Sequence, residues 1–207
     1  MKFQKIVFVL VLVGITISLY YSFSDSGDAT AYNRSILEER KNKDQFMAAS
    51  EESPFADSTT TFTALKYFVP NPAWRIQADL IYIKKREPRL LQTSDGLTRN
   101  FLTYAWAEFD YGNLKNRLLI LEVMDEGAER GNLFLAFSDE TSATETYGGG
   151  RYLDIRKVPG STSVLLDFNK AYNPYCAYND KFSCPLPPSE NLLKIGIVAG
   201  EKVYRAE

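Results

Sequence analysis

From Phe62 onward the chain is written in short runs of period two, with no second helical stretch among them. In "WRIQADLIYIK", Trp74, Ile76, Ala78, Leu80 and Tyr82 alternate with other neighbours, as in a strand with one face on a core. Asp95-Gly96 lies between "RLLQTS" and "LTRNFLTYAWAEF", the strongest short-range hairpin signal. "RLLILEVM", "NLFLAFS", "GRYLDIRKV", "SVLLDF" and "LLKIGIVAG" are further strand candidates, and Pro159-Gly160 marks another turn. Roughly nine or ten short strands imply an all-β fold, mainly antiparallel, sandwich or barrel-like.

The N-terminal part is different. Lys2 and Lys5 precede a run from Ile6 to Ser24 that carries no charge, and Asp25 and Asp28 follow it. That order reads as a membrane-anchor helix over residues 1–24 with the body of the chain exported; the rival reading is a cleaved signal peptide and a secreted or periplasmic body. Residues 25–34 are small and polar, as in a linker. Ser35 with Glu38 three residues on has the form of a capping box, so a helix is expected over 35–49, with Ile36, Leu37, Phe46 and Met47 touching the body. Residues 35–207 then form a single β-rich domain carrying that helix.

Composition narrows the chemistry. With 24 basic and 26 acidic residues the formal charge is −2, so no basic excess drives nucleic-acid binding. Histidine is absent, which removes the commonest general base and the commonest neutral metal ligand. No cofactor motif and no metal site are read from the chain. Whether it is an enzyme stays open, and any catalysis would use carboxylates, Tyr, Cys, Lys or Arg.

Two polar tracts stand out. "SDETSATETYGGGRYLD" holds Gly148, Gly149 and Gly150 and places Arg151 among Asp139, Glu145 and Asp154. It is neither a phosphate-binding loop nor a dinucleotide fingerprint. Arg151 is expected to pair with Glu145, Asp139 or Asp167. Such a pair serves a site or merely fastens a loop, and fastening is the commoner case. "DFNKAYNPYCAYNDKFSCPLPPSEN" is far longer than a connection of about 2–6 residues. Its prolines Pro185, Pro187 and Pro188 pre-set an extended path. It contains both cysteines, Cys176 and Cys184. In an exported domain they are a disulfide candidate, with two free thiols as the alternative; zinc or a nucleophile ranks behind, for want of His.

These residues resemble a known family. "DETSATETYGGGRYLD", "LDFNKAYNPYCAY", "CPLPPSENLL" and "AGEK" are similar to the uncharacterised domain of unknown function 1684, over roughly Glu38 to Lys202. The resemblance implies no assigned activity. It marks Glu145, Tyr147, Arg151, Asp154, Asp167, Asn169, Tyr172, Asn173 and Glu190 as candidate ligand-binding residues. It also raises the free-thiol reading, since such relatives include chains without an export signal. The expectation is an envelope-tethered β domain, in contact with the membrane through its N-terminal segment. It would bind a small molecule or a protein at a polar site around Arg151, which is expected to share one or more of Glu145, Asp167 and Glu190. The alternative is a hydrolase with Glu145 or Asp154 as acid or base and Arg151 holding an anionic group. Both readings require the glycine stretch and the proline-rich tract to meet.

Overall fold

The computed structural model describes residues 28–56 and 61–204. The period-two runs build eight strands: β1 (Arg75–Tyr82), β2 (Pro88–Gln92), β3 (Thr98–Tyr111), β4 (Leu114–Val123), β5 (Leu133–Phe134), β6 (Ala136–Phe137), β7 (Arg151–Tyr152) and β8 (Ser163–Asp167). All pairings between these strands are antiparallel. Six strands form one sheet with the order β5-β4-β3-β1-β8 and β2 added to β3, while β6 and β7 pair separately. The Asp95-Gly96 hairpin joins β2 to β3, with Gly96 at φ +83°.

β4 explains why "RLLILEV" lacks alternation. Leu118 and Ile120 enter one core and Leu119, Leu121 and Val123 a second, so both faces are covered, and a strand buried on both faces reads as a continuous apolar run. β3 meets both cores through a bulge. Thr103 opposes Leu121 and Ala105 opposes Ile120; the extra residue shifts the parity. Phe101 therefore lies in the second core, whereas Ala107 and Phe109 lie in the first.

The layer facing the first core is largely irregular, which corrects the expected strand count. "NLFLAFS" breaks at Leu135 into two-residue strands, "GRYLDIRKV" contributes only Arg151–Tyr152, and "LLKIGIVAG" forms no strand. Yet Leu193, Ile195, Ile197 and Ala199 are buried in the first core at a period of two. Irregular chain lies across the sheet there, tied to Ser138 by one bridge at Leu192 rather than by a ladder.

The helix α1 spans residues 28–49 among those described. The helix start at Ser35 is therefore corrected, and so is the linker expected over 25–34 where it covers 28–34, which is helical; residues 25–27 lie outside the described residues. Ser35 sits inside the helix and its hydroxyl donates to Tyr32 O at 2.7 Å, a back-bond rather than a cap. Tertiary contacts explain the earlier start: Tyr32 Oη donates to Asp167 at 2.7 Å and lies under Arg75. Ile36 and Met47 are buried and Phe46 half-buried, but Leu37 is 56% exposed. Among the described residues no helix is long and apolar enough to cross a membrane. The anchor expected over 1–24 lies outside the described residues.

Asn191 shows how irregular chain completes the sheet. Its amide accepts from Leu119 N at 2.6 Å and donates to Leu119 O at 2.9 Å and Ala136 O at 2.7 Å. One side chain thus imitates a strand partner for β4. Asn191→Ala strands three buried backbone groups, each worth about 1–3 kcal/mol when left unpaired. Asn191→Asp keeps the acceptor but points a charge at two carbonyls, and is expected to cost at least as much. Urea denaturation of the two variants checks both expectations.

Candidate functional site

The glycine stretch and the proline-rich tract do meet. A Cβ on Gly150, at φ +83°, would come within 2.4 Å of Pro187 Cγ and 2.7 Å of Phe137 O. Tyr152 Oη donates to Pro185 O at 2.6 Å, and Tyr152 exchanges backbone hydrogen bonds with Tyr172. Their junction is filled core, however, not a cavity. Arg151 is 1% exposed. Its guanidinium donates to Asp139 Oδ2 at 2.8 Å and to the carbonyls of Ile197, Ala199 and Glu201 at 2.9, 2.5 and 3.3 Å. Asp139 Oδ1 in turn accepts from Thr141 N at 2.8 Å, Thr141 Oγ1 at 2.6 Å and Ile197 N at 3.2 Å. Burial pulls the Arg151 guanidinium down from its ordinary value while Asp139 pulls it up.

Of the carboxylates considered for Arg151, the partner is Asp139. Glu145, Asp167 and Glu190 are elsewhere, which corrects the expectation that they share it. Glu145 is exposed and pairs with Lys202 at 3.2 Å; Glu190 pairs with Arg89 at 2.6 Å. The hydrolase arrangement around Arg151 is likewise not assembled: Glu145 and Asp154 are exposed at the surface, while Arg151 is locked in the core. Asn173 belongs to a second buried node. Its amide donates to Glu201 Oε1 at 2.9 Å and to Lys202 O at 2.8 Å. Glu201 is fully buried and also receives the Tyr178 hydroxyl and Lys43 Nζ, the latter at 3.0 Å. Burial, then the Glu201 charge, pushes the Tyr178 hydroxyl far up. Asp139 is one of the carboxylates expected from the sequence to pair with Arg151; Glu201 was not singled out, "AGEK" having placed it in a motif without a role.

The remaining candidates gather at an open groove of about 1390 Å³ between α1 and the body. Asp154, Asp167, Asn169 and Tyr172 all line it. Asp167 ends β8, caps the turn at Phe168–Lys170 by accepting from Asn169 N at 3.3 Å, and lies 3.8 Å from Arg75. The Asn169 amide donates to Asn71 O and accepts from Asn71 N, both at 2.8 Å, fixing the loop before β1. Tyr172 Oη donates to Asp154 at 2.8 Å, and burial pushes its ionisation upward. Arg40 enters from α1, lies 4.4 Å over the Tyr67 ring and donates to Phe68 O and Asn169 O. Arg40 Nε and Tyr67 Oη are buried without a hydrogen-bond partner. The floor is apolar, with Ile36, Met47, Leu133, Leu153, Ile155 and Leu165.

A family model described as "Protein of unknown function (DUF1684)" matches residues 60–202. The chain belongs to this family. The α1 wall of the groove lies before the matched residues, so the match begins later than the Glu38 expected from the motifs. Among solved structures, the DUF1684 chain is similar to the solution structure of an uncharacterised protein from Haloarcula marismortui, with 34% identity and a TM-score of 0.61, over 84% of this chain and 95% of that one. No curated protein matches.

In this DUF1684 domain Cys176 and Cys184 are free, buried thiols, which corrects the expected disulfide. They are neighbours nonetheless: Cys176 N donates to Cys184 Sγ at 3.2 Å, and the Tyr147 hydroxyl lies 3.8 Å from Cys176 Sγ. The Cys184 thiol bonded to Cys176, aided by Ser94 and Tyr147, lowers Cys176 to about 6, and the same contact raises Cys184. Tyr147 is thus a neighbour of the thiols, and its ring also fills the space that a Cβ on Gly149 would need, at 2.5 Å.

Two expectations follow from this geometry. Arg151→Met and Asp139→Asn each leave a buried group unmatched and should cost about 3–5 kcal/mol. Arg151→Lys should not restore stability, because an ammonium cannot span the three carbonyls and the carboxylate. Thermal and urea unfolding measure both. For the thiols, a folded value below the unfolded one makes Cys176 stabilise the fold at high pH and lose that contribution as pH falls through about 6. Above the ordinary thiol value the raised Cys184 acts in the opposite sense. Wild-type stability should therefore rise from about pH 6 to 8 more than that of Cys176→Ser, as read from urea midpoints at the two pH values.

Proposed function

We propose that this DUF1684 chain is an envelope-tethered β domain that binds a small ligand in the groove between α1 and the body. The observation that carries the reading is the convergence of Asp154, Asp167, Asn169 and Tyr172 on one groove with an apolar floor. An apolar concavity with a few placed polar groups is the usual form of a small-molecule site. The support for a tether is the sequence of the N-terminal segment, where two lysines precede an uncharged run from Ile6 to Ser24. The Arg151 region is no open site, because the residue is buried and its two terminal nitrogens are taken by Asp139 and three backbone carbonyls, leaving only a buried Nε–H without a partner.

Leu165 lines the groove and is 43% exposed, so Leu165→Trp fills space there without disturbing the core. A thermal-shift screen of a chemically broad small-molecule library is run on the wild type and this variant. The expected result is a set of compounds that raise the wild-type Tm and leave that of Leu165→Trp unchanged. A ligand at a thousand times its Kd adds about 4 kcal/mol, well within detection. The reading fails when no compound shifts the wild type, or when the same compounds shift both proteins equally.

A further inference from the structure

The charges around the groove are not evenly matched. Arg40, Lys43, Arg75, Arg156, Lys157 and Lys170 line it against Glu39, Asp154 and Asp167, on a chain whose formal charge is −2. Four of the cations are satisfied: Arg75 lies 3.8 Å from Asp167, Lys170 2.8 Å from Glu39, Lys43 3.0 Å from Glu201 and Lys157 2.7 Å from Glu122. Two are not. Arg40 and Arg156 have no carboxylate within ion-pair distance among the described residues, while Asp154 is held by a hydroxyl rather than a cation. The two differ in setting. Arg156 is exposed at the rim. Arg40 is half-buried, bonded only to two backbone carbonyls, with its Nε–H unpaired beside the unpaired Tyr67 hydroxyl. A guanidinium withdrawn from water without a counter-ion is unfavourable until an anion or a well-placed dipole meets it. Tyr32, Tyr67, Tyr172 and Tyr175 line the same groove, and flat rings beside cations suit a flat apolar body with an acidic group.

We infer that the groove takes a small organic anion with an aromatic or apolar body, its acidic group drawn by Arg156 at the rim and Arg40 in the wall. The inference rests on the groove being the binding site, and the test separates the two claims. The probes are 8-anilinonaphthalene-1-sulfonate and its uncharged counterpart N-phenyl-1-naphthylamine, which differ by the sulfonate alone. Binding to the full chain is read by fluorescence titration at about 0.1 M salt, where exposed charges are already screened beyond about 10 Å. Three proteins are compared: wild type, Arg156→Glu, and Lys115→Glu. The last makes the same change in net charge at an exposed position outside the groove.

The expected result is tighter binding of the sulfonate than of the neutral probe by the wild type. Arg156→Glu should weaken the sulfonate by about tenfold, roughly what one charge-assisted hydrogen bond contributes, and leave the neutral probe unchanged. Lys115→Glu should leave both unchanged. Equal affinity for the two probes overturns the anion claim and leaves the groove standing. Equal weakening by Arg156→Glu and Lys115→Glu also overturns it, since the attraction would then belong to the whole surface. Binding of neither probe to the wild type overturns the groove reading together with the anion claim.

Discussion

The buried pair of Arg151 and Asp139 holds the last part of the chain where a strand ladder would otherwise be needed. The chain from Leu193 to Ala199 buries alternate side chains but belongs to no strand; its few backbone bonds to other segments run to Ser138 and Glu140. Its carbonyls at Ile197, Ala199 and Glu201 are taken by one guanidinium, and its Ile197 N–H by the paired carboxylate. These three carbonyls stand two residues apart along the chain, and a planar fork of donors can span them. Buried backbone groups need partners, so this pair supplies by side chains what neighbouring strands supply elsewhere. Its own desolvation is offset because each partner keeps further hydrogen bonds: Asp139 with Thr141, Arg151 with the three carbonyls.

The position of the groove depends on that clasp at one remove. Two residues beyond Ala199 comes Glu201, whose buried carboxylate gathers Asn173, Tyr178 and Lys43 of α1. Arg151 holds the backbone of Glu201, and the Glu201 side chain holds the helix. Gly200 makes the bend between them possible. It adopts φ +75°, and a Cβ there would lie 2.6 Å from Ala171 O. The order of dependence runs from the core clasp to the C-terminal segment, then to Glu201, then to α1 as a wall of the groove.

Local signals were legible in the sequence where a strand's own side chains alternate or run apolar. β1 and β8 fall within the runs read that way, β4 overlaps its run but begins three residues earlier at Leu114, and the Asp95-Gly96 hairpin is where its turn chemistry puts it. The meeting of the two polar tracts was legible as well, since Gly150 and Pro187 touch. What failed were inferences that need a partner distant in sequence. Alternation in "LLKIGIVAG" reports burial on one face and says nothing about what its backbone bonds to. Ser35 and Glu38 match a cap locally, but Tyr32 bonding to Asp167, 135 residues away, carries the helix past them. Arg151 had several carboxylates within plausible reach, and only the fold selects Asp139. Asp154, Asp167, Asn169 and Tyr172 were found as polar side chains in a marked tract; their common groove was not visible, because α1 forms the opposite wall.

The two ends of that wall are held by different forces. At its C-terminal end Met47 enters an apolar cluster with Phe55, Leu65, Tyr178 and Tyr204, and burying such a side chain is worth about 1.5–3 kcal/mol. Nearer its N-terminal end the Tyr32 hydroxyl bonds the Asp167 carboxylate and the Arg75 guanidinium lies over the Tyr32 ring, interactions of roughly 1.5–3 and 0.5–1 kcal/mol. Ile36 is the apolar anchor between them. The helix is thus fixed by apolar burial where Met47 meets the body and by polar and cation–ring contacts where Tyr32 and Asp167 border the groove. Asp167 stands at that end as cap of its own turn, partner of Tyr32 and neighbour of Arg75. A ligand reaching Arg75 there competes for contacts that also hold the helix, which couples occupation of the groove to the seating of α1.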